Sequence, residues 1–228
     1  FTVLDAVHYA AHGPIDVRAL DCDFLTCSIY KFFGPHLGAL YARRELVERL
    51  KTLKIRPQHD EPPFPLETGT LNHEGIAGAK AAVEFVADIG SKFGNTPDIQ
   101  NKVNQLEGRR RDIVAGLMIF DAYEQQLTEY LMNGLSDIQQ ITLHGPPKGH
   151  LRTSTVSFTY AGHTASEIAQ YLAEKGLFVW NGDFYASTLI DRLGLRDQGG
   201  LVRIGIAPYN TKEELTRVIE ALSEGISQ

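Results

Sequence analysis

Apolar and polar positions along this 228-residue chain sort into short strand-like runs separated by helical stretches. Residues 1–5 and 23–28 read as short apolar strands, with a loop and the segment Ile15-Asp16-Val17 between them, and Gly38-Ala39-Leu40-Tyr41-Ala42 reads as a third strand. Strands spaced by crossovers point to a parallel sheet. Residues 44–53 look helical, and residues 56–65, rich in proline and polar side chains, predict an irregular loop. Between residues 75 and 93 the apolar Ile76, Ala79, Val83, Val86 and Ile89 recur at helical spacing, with Asn72 placed to cap the N-terminus. After Gly94-Asn95-Thr96-Pro97, the residues Val103, Leu106, Ile113, Val114 and Leu117 predict a long connecting helix, and residues 123–135 a further one ending near Gly134.

The cluster Gly145-Pro146-Pro147-Lys148-Gly149 marks a break, near which a second domain begins. Residues 154–160 then alternate polar and apolar, as a half-buried strand does. Thr164 with Glu167 has the capping-box spacing for a helix that buries Ile168, Ala169, Tyr171 and Leu172 and that Gly176 ends. Residues 177–180 and 201–207 read as strands, and Thr211 caps a last helix carrying Leu215, Val218, Ile219 and Leu222 on one face.

Composition narrows the classes. With 43% hydrophobic and 22% charged residues the chain is that of an ordinary folded protein rather than a disordered one. A formal net charge of -6 leaves no electrostatic footprint for nucleic acid, and the one tight basic run, Arg109-Arg110-Arg111, is flanked by Glu107 and Asp112 on a solvated helical face. No apolar segment has the length of a membrane span and no charged-then-apolar leader opens the chain, so the expected location is the cytoplasm. Cys22 and Cys27 are five residues apart on an expected strand, pointing to opposite faces, which predicts reduced thiols. His8 and His12 have the i, i+4 spacing of metal ligands, but no third ligand follows and Gly13-Pro14 would end a helix at once, so no metal is assigned.

One lysine stands apart. In Ser28-Ile29-Tyr30-Lys31-Phe32-Phe33-Gly34-Pro35 it lies among apolar and aromatic neighbours just after a strand-like run. Desolvation lowers the pKa of an ammonium, and the neutral amine can attack a carbonyl to form a Schiff base. The same pattern also allows the stem to pack while the ammonium reaches water. Asp5 closes the apolar run Phe1-Thr2-Val3-Leu4, where a buried carboxylate needs a positive partner. A Schiff-base lysine together with an aspartate that keeps a pyridinium nitrogen protonated is the working pair of pyridoxal phosphate enzymes.

Four separated stretches extend this pattern. The first runs from Leu4-Asp5-Ala6-Val7-His8-Tyr9-Ala10-Ala11-His12 through Ile15-Asp16-Val17 and Cys22-Asp23-Phe24. The others are Ser28-Ile29-Tyr30-Lys31, Glu67-Thr68-Gly69-Thr70-Leu71-Asn72 and Val202-Arg203-Ile204-Gly205-Ile206-Ala207-Pro208-Tyr209-Asn210-Thr211. In this order and over nearly the whole chain they resemble class V aminotransferases of the cysteine desulfurase type. The resemblance implies an α/β chain of the fold type I pyridoxal phosphate enzymes. Residues 1–95 would be the end of a mainly parallel sheet large domain, residues 96–148 connecting helices, and residues 149–228 a small C-terminal α/β domain.

The resemblance also implies pyridoxal 5'-phosphate as cofactor, with Lys31 as the aldimine lysine, Asp5 on the pyridine nitrogen and His8 on the phenolic oxygen. Ser28 and Tyr30 fall where the family contacts the phosphate, and Thr70 where a neighbouring subunit does so, which implies a homodimer with a shared active site. Arg203 would clamp the α-carboxylate of an amino-acid substrate in a bidentate pair. His8 replaces a glutamine common in the family, adding a titratable donor, and Tyr30 replaces a histidine.

Two departures matter. The loop Asn181-Gly182-Asp183-Phe184-Tyr185-Ala186 carries Tyr185 where the desulfurases have the cysteine that accepts sulfur, and a phenol cannot form a persulfide. Tyr185 therefore reads either as a substrate-gating residue or as a packing aromatic on a lid. The chain also opens with Phe1 directly on the strand that carries Asp5, so an N-terminal lobe of the same protein is expected as a partner. The expected activity is transamination or β-elimination on an amino acid. The alternatives are a true cysteine desulfurase or selenocysteine lyase, and a catalytically inactive interaction module that retains the fold.

Overall fold

The computed structural model describes residues 1–226. The chain splits into two compact units, Phe1–Ile119 and Phe120–Gln228, each with its own sheet.

In the first unit β1 (Val3–Asp5) pairs in parallel with β2 (Phe24–Ser28), which sets Asp5 opposite Thr26. The third strand, β3 (Gly38–Ala42), runs antiparallel to β2. It departs from the parallel expectation because the link from Ser28 to Gly38 is too short for a crossover, which needs about a dozen residues or more. The chain instead reverses through a 3-10 helix, Ile29–Phe32, and through Phe33 at φ 71°. One face of this sheet gathers a small core of Ala6, Cys22 and Leu25 against Leu4, Ile15, Val17 and Tyr41.

Helix α1 (Arg44–Arg49) is shorter than expected, and α2 (His73–Phe93) begins where the sequence places it, with Asn72 Oδ1 accepting the Gly75 N–H at 2.8 Å. A short α3 (Pro97–Val103) precedes α4 (Gly108–Ser136), one continuous helix where the periodicity predicts two. No proline interrupts residues 108–136, and the two glycines inside it serve packing, Gly134 against the Ile219 side chain and Gly116 against α2. A Cβ at Gly116 would press on the Val86 carbonyl oxygen of α2, and one at Gly90 on the Asp112 carbonyl oxygen and the Gly116 nitrogen of α4. The two helices thus meet backbone to backbone, an approach that only glycine allows.

The second unit is built on an antiparallel sheet in the order β4-β5-β7-β6, from β4 (Ile141–His144), β5 (Thr155–Tyr160), β6 (Trp180–Gly182) and β7 (Leu201–Gly205). Strand β5 alternates as its sequence does, with Val156, Phe158 and Tyr160 inward. They join Val202 and Ile204 of β7, Leu131 and Leu135 of α4, Ile168 and Leu172 of α5 (Ala165–Glu174), and Leu222 of α7 (Lys212–Glu224) in one core. The expected capping box of Thr164 with Glu167 opens α5, and Thr211, expected as a cap, forms a second box with Glu214 at the start of α7. Strand β4 and the short α6 (Ser187–Arg192) are elements that the sequence pattern does not reveal.

Gly90→Ala is expected to lower the stability of the first unit by about 2 to 3 kcal/mol, since backbone rather than a flexible side chain must yield. Thr211→Ala is expected to cost about 1 kcal/mol through loss of the N-cap. Urea unfolding of each variant beside the parent chain checks both.

Candidate active site

Parallel neighbours leave a sheet at the same edge, so the C-terminal ends of β1 and β2 deliver their following turns side by side. The Ala6 N–H donates to the Thr26 carbonyl at 2.9 Å just past β1, tying these ends together. Asp5 closes β1, His8 precedes the 3-10 helix Tyr9–Ala11, and Ser28 precedes the 3-10 helix that carries Tyr30 and Lys31. The two 3-10 helices are in contact. The fold thereby gathers Asp5, His8, Ser28, Tyr30 and Lys31 at one end of the first sheet.

Asp5 is exposed, not buried as its apolar approach suggested. Its Oδ1 accepts the Val7 N–H at 2.9 Å, which fixes the carboxylate and leaves Oδ2 for another donor. Lys31 is half-buried, with Nζ 5.9 Å from the Tyr30 ring centroid. Among the described residues its ammonium makes no hydrogen bond or ion pair. Tyr30 stacks on His36, and the His8 and His12 rings lie 4.6 Å apart. Ser28 makes no side-chain cap to the turn it opens. Thr70 is exposed beside Gly69, whose φ of 70° turns the chain just ahead of α2.

This donor set fits pyridoxal phosphate chemically: an amine without a partner, a carboxylate with one oxygen open, and hydroxyls not engaged by their own turn. A separate cleft of about 420 Å³ touches Asp5 but is lined mainly by Leu4, Tyr9, Ile15, Leu20 and Leu25 and does not include Lys31. Its apolar walls hold none of the groups named above apart from Asp5. Among the described residues no group of three or more His, Cys, Asp or Glu side chains is arranged to hold a metal ion.

In the second unit Arg203 lies in the middle of β7, and cross-strand register puts it in a row that runs His144, Ser157, Arg203, Trp180. This row is on the face opposite the core. The Arg203 guanidinium carbon sits 4.3 Å from the centroid of the Phe184 ring. Partial burial pulls the Arg203 pKa below the usual arginine value. Among the described residues the guanidinium has no hydrogen bond and no ion pair.

The loop after β6 is unusual in its backbone. Phe184 and Tyr185 are consecutive non-glycine residues at φ 54° and 62°, a conformation that costs about 1 to 3 kcal/mol each. Two contacts hold it. Asp183 Oδ1 accepts the Tyr185 N–H at 3.0 Å, and Phe184 packs on the cluster of Ile190, Leu195 and Leu201. Phe184 is thus anchored, and Tyr185 projects fully into solvent. Sequence reasoning missed Trp180 and Phe184 beside Arg203, because nothing in a linear reading aligns residue 180 with residue 203. A tryptophan on the exposed face of a short strand was the available signal.

The family model for class V aminotransferases matches residues 1–107 and 113–218. A cysteine desulfurase of Pectobacterium atrosepticum is 27% identical over 96% of this chain and 49% of its own length, and one of Yersinia pestis is 26% identical over 96% and 50%. Among solved structures, the apo cysteine desulfurase of Thermococcus onnurineus superposes with a TM-score of 0.80 at 25% identity, covering 97% of this chain and 51% of that one. The Escherichia coli cysteine desulfurase CsdA, in an S-sulfonic acid form, gives 0.76 at 25% identity over 97% and 50%. The fold is the fold type I architecture expected from the sequence. The chain spans about half the length of the curated relatives it matches. With its motifs in family order and both units matched, the chain belongs to the class V aminotransferases.

Proposed function

We propose that this chain is the lysine-bearing part of a pyridoxal phosphate-dependent enzyme of the cysteine desulfurase-like type, acting on an amino acid by transamination or β-elimination. The observation that carries this reading is the convergence of Asp5 and the Lys31 turn at one sheet edge, both with bonding capacity left over. Pyridoxal phosphate, when bound, supplies the sink for the electron pair released at the substrate α-carbon.

The chain's own residues do the rest. The open Asp5 carboxylate holds the ring nitrogen protonated, and His8 donates to the phenolic oxygen. Lys31 Nζ anchors the cofactor and then takes the α-proton. Ser28 and Tyr30 bind phosphate oxygens, and Thr70 does so for the neighbouring subunit of a homodimer in the cytoplasm. Arg203 pairs with the substrate carboxylate and fixes the orientation of the bond to be broken, a positioning contribution. An N-terminal half of the same protein completes the phosphate site, a reading supported by relatives about twice as long as this chain.

The loop chemistry favours this reading over a persulfide-forming desulfurase. Tyr185 stands on the loop where sulfur would have to be received, and the two thiols of the chain lie elsewhere: Cys22 is buried and Cys27 half-buried. Burial pushes the Cys27 thiol above its usual pKa, which suppresses the thiolate that persulfide chemistry needs.

Two measurements test the proposal. Mixed with pyridoxal phosphate and a preparation of the N-terminal half, the chain is expected to show a visible absorption band that borohydride fixes and that Lys31→Ala abolishes. No band in the reunited protein would overturn the enzyme reading. Separately, iodoacetamide at about pH 8 should alkylate the native thiols at least about tenfold more slowly than those of the urea-unfolded chain, and a persulfide trapped after feeding cysteine would sink the assignment.

A further inference from the structure

A cation on a sheet face ordinarily meets a carboxylate, yet the row through Arg203 contains none: its neighbours are Ser157 on one side and Trp180 on the other. His144, at the far end of the row, is turned to Thr159, with Nε2 and Oγ1 3.1 Å apart. The guanidinium carbon lies over the Phe184 ring, which is itself held by Ile190, Leu195 and Leu201. A guanidinium held by a ring through its carbon, with no hydrogen-bond partner of its own, keeps its planar N–H fork for a carboxylate in a bidentate pair. Whatever carries that carboxylate then lies beside Trp180, whose Cβ as a cross-strand neighbour is within about 5.5 Å of the Arg203 Cβ. Trp180 is 65% exposed and unpaired with any other aromatic ring among the described residues. It is also the only tryptophan in the chain.

We propose that Trp180 and Phe184 set substrate specificity, seating an amino acid whose carboxylate binds Arg203 and whose aromatic or bulky apolar side chain packs on the Trp180 indole. This rests on the reading of Arg203 as the substrate-carboxylate residue. Small or charged side chains, those of cysteine and aspartate among them, gain nothing from the indole face. An aromatic side chain gains both the buried area and the ring contact.

The single tryptophan makes the test direct. The 228-residue chain is titrated with 3-phenylpropionate and, in parallel, with propionate, following Trp180 emission. The expected result is a saturable change for both acids, with the aromatic acid bound about tenfold more tightly. Arg203→Lys should weaken both acids, and Phe184→Ala should do the same by releasing the guanidinium plane, with circular dichroism confirming that the variants fold. Trp180→Leu, followed through the ligand's own NMR signals, should bring the two affinities to within about twofold of each other. Equal affinities in the parent chain, a response unchanged by Arg203→Lys, or no response to either acid would each overturn the proposal. The signal needs no cofactor, so a failure of Lys31 to bind pyridoxal phosphate leaves it intact, and the two readings fail separately.

Discussion

Two parallel strands must leave their sheet at the same edge, and in this chain that rule brings the candidate site residues of the first unit together. Asp5 ends β1, opposite Thr26 of β2, and two residues further along β2 the chain enters the turn that carries Lys31. An antiparallel pairing of the same two strands would put these groups at opposite ends of the sheet. The short reversal into β3 sharpens the effect, because a turn that cannot cross over must fold back at that same edge, with Phe33 taking the left-handed conformation that lets it do so. The His8 turn, delivered by β1, packs against it.

Each unit handles its remaining constraints in its own way. In the first, α2 and α4 approach until backbone touches backbone, and Gly90 and Gly116 are the residues that permit it. In the second, an antiparallel sheet covered on one side only leaves a polar face, so a partly desolvated arginine can stand there without a fixed partner. Had β7 been covered on both faces, Arg203 would need a buried counter-charge.

Legibility in the sequence followed the range of the interactions. Local chemistry was readable: Asn72 and Thr211 as caps, the capping box at Thr164, and the alternation of β5 all depend on residues within a few positions of one another. What depends on distant residues was not. The four-residue β4 has meaning only as a partner of β5, α4 runs unbroken through residues 118–122 where the apolar period lapses, and the antiparallel β3 follows from a link length rather than from any strand residue. The candidate residues Lys31, Asp5 and Arg203 were picked out by motif, and the first sheet brings Asp5 and the Lys31 turn to one end. Asp5 was expected to be buried because its strand is apolar, but β1 alternates, and Asp5 shares with the exposed Val3 the face opposite Leu4.

The loop after β6 joins the two halves of the functional argument. A cysteine that receives sulfur must be mobile enough to reach the substrate and exposed enough to pass its cargo on. Here the exposed position is Tyr185, and the residue before it is fixed: Phe184 lies between an apolar cluster and the Arg203 guanidinium. The left-handed backbone at both residues is tolerable only while Phe184 stays packed and Asp183 holds the Tyr185 N–H. The loop's free energy is thus invested in holding Phe184 against the Arg203 guanidinium, and with Trp180 as the next residue across the sheet, the surface around that arginine is aromatic.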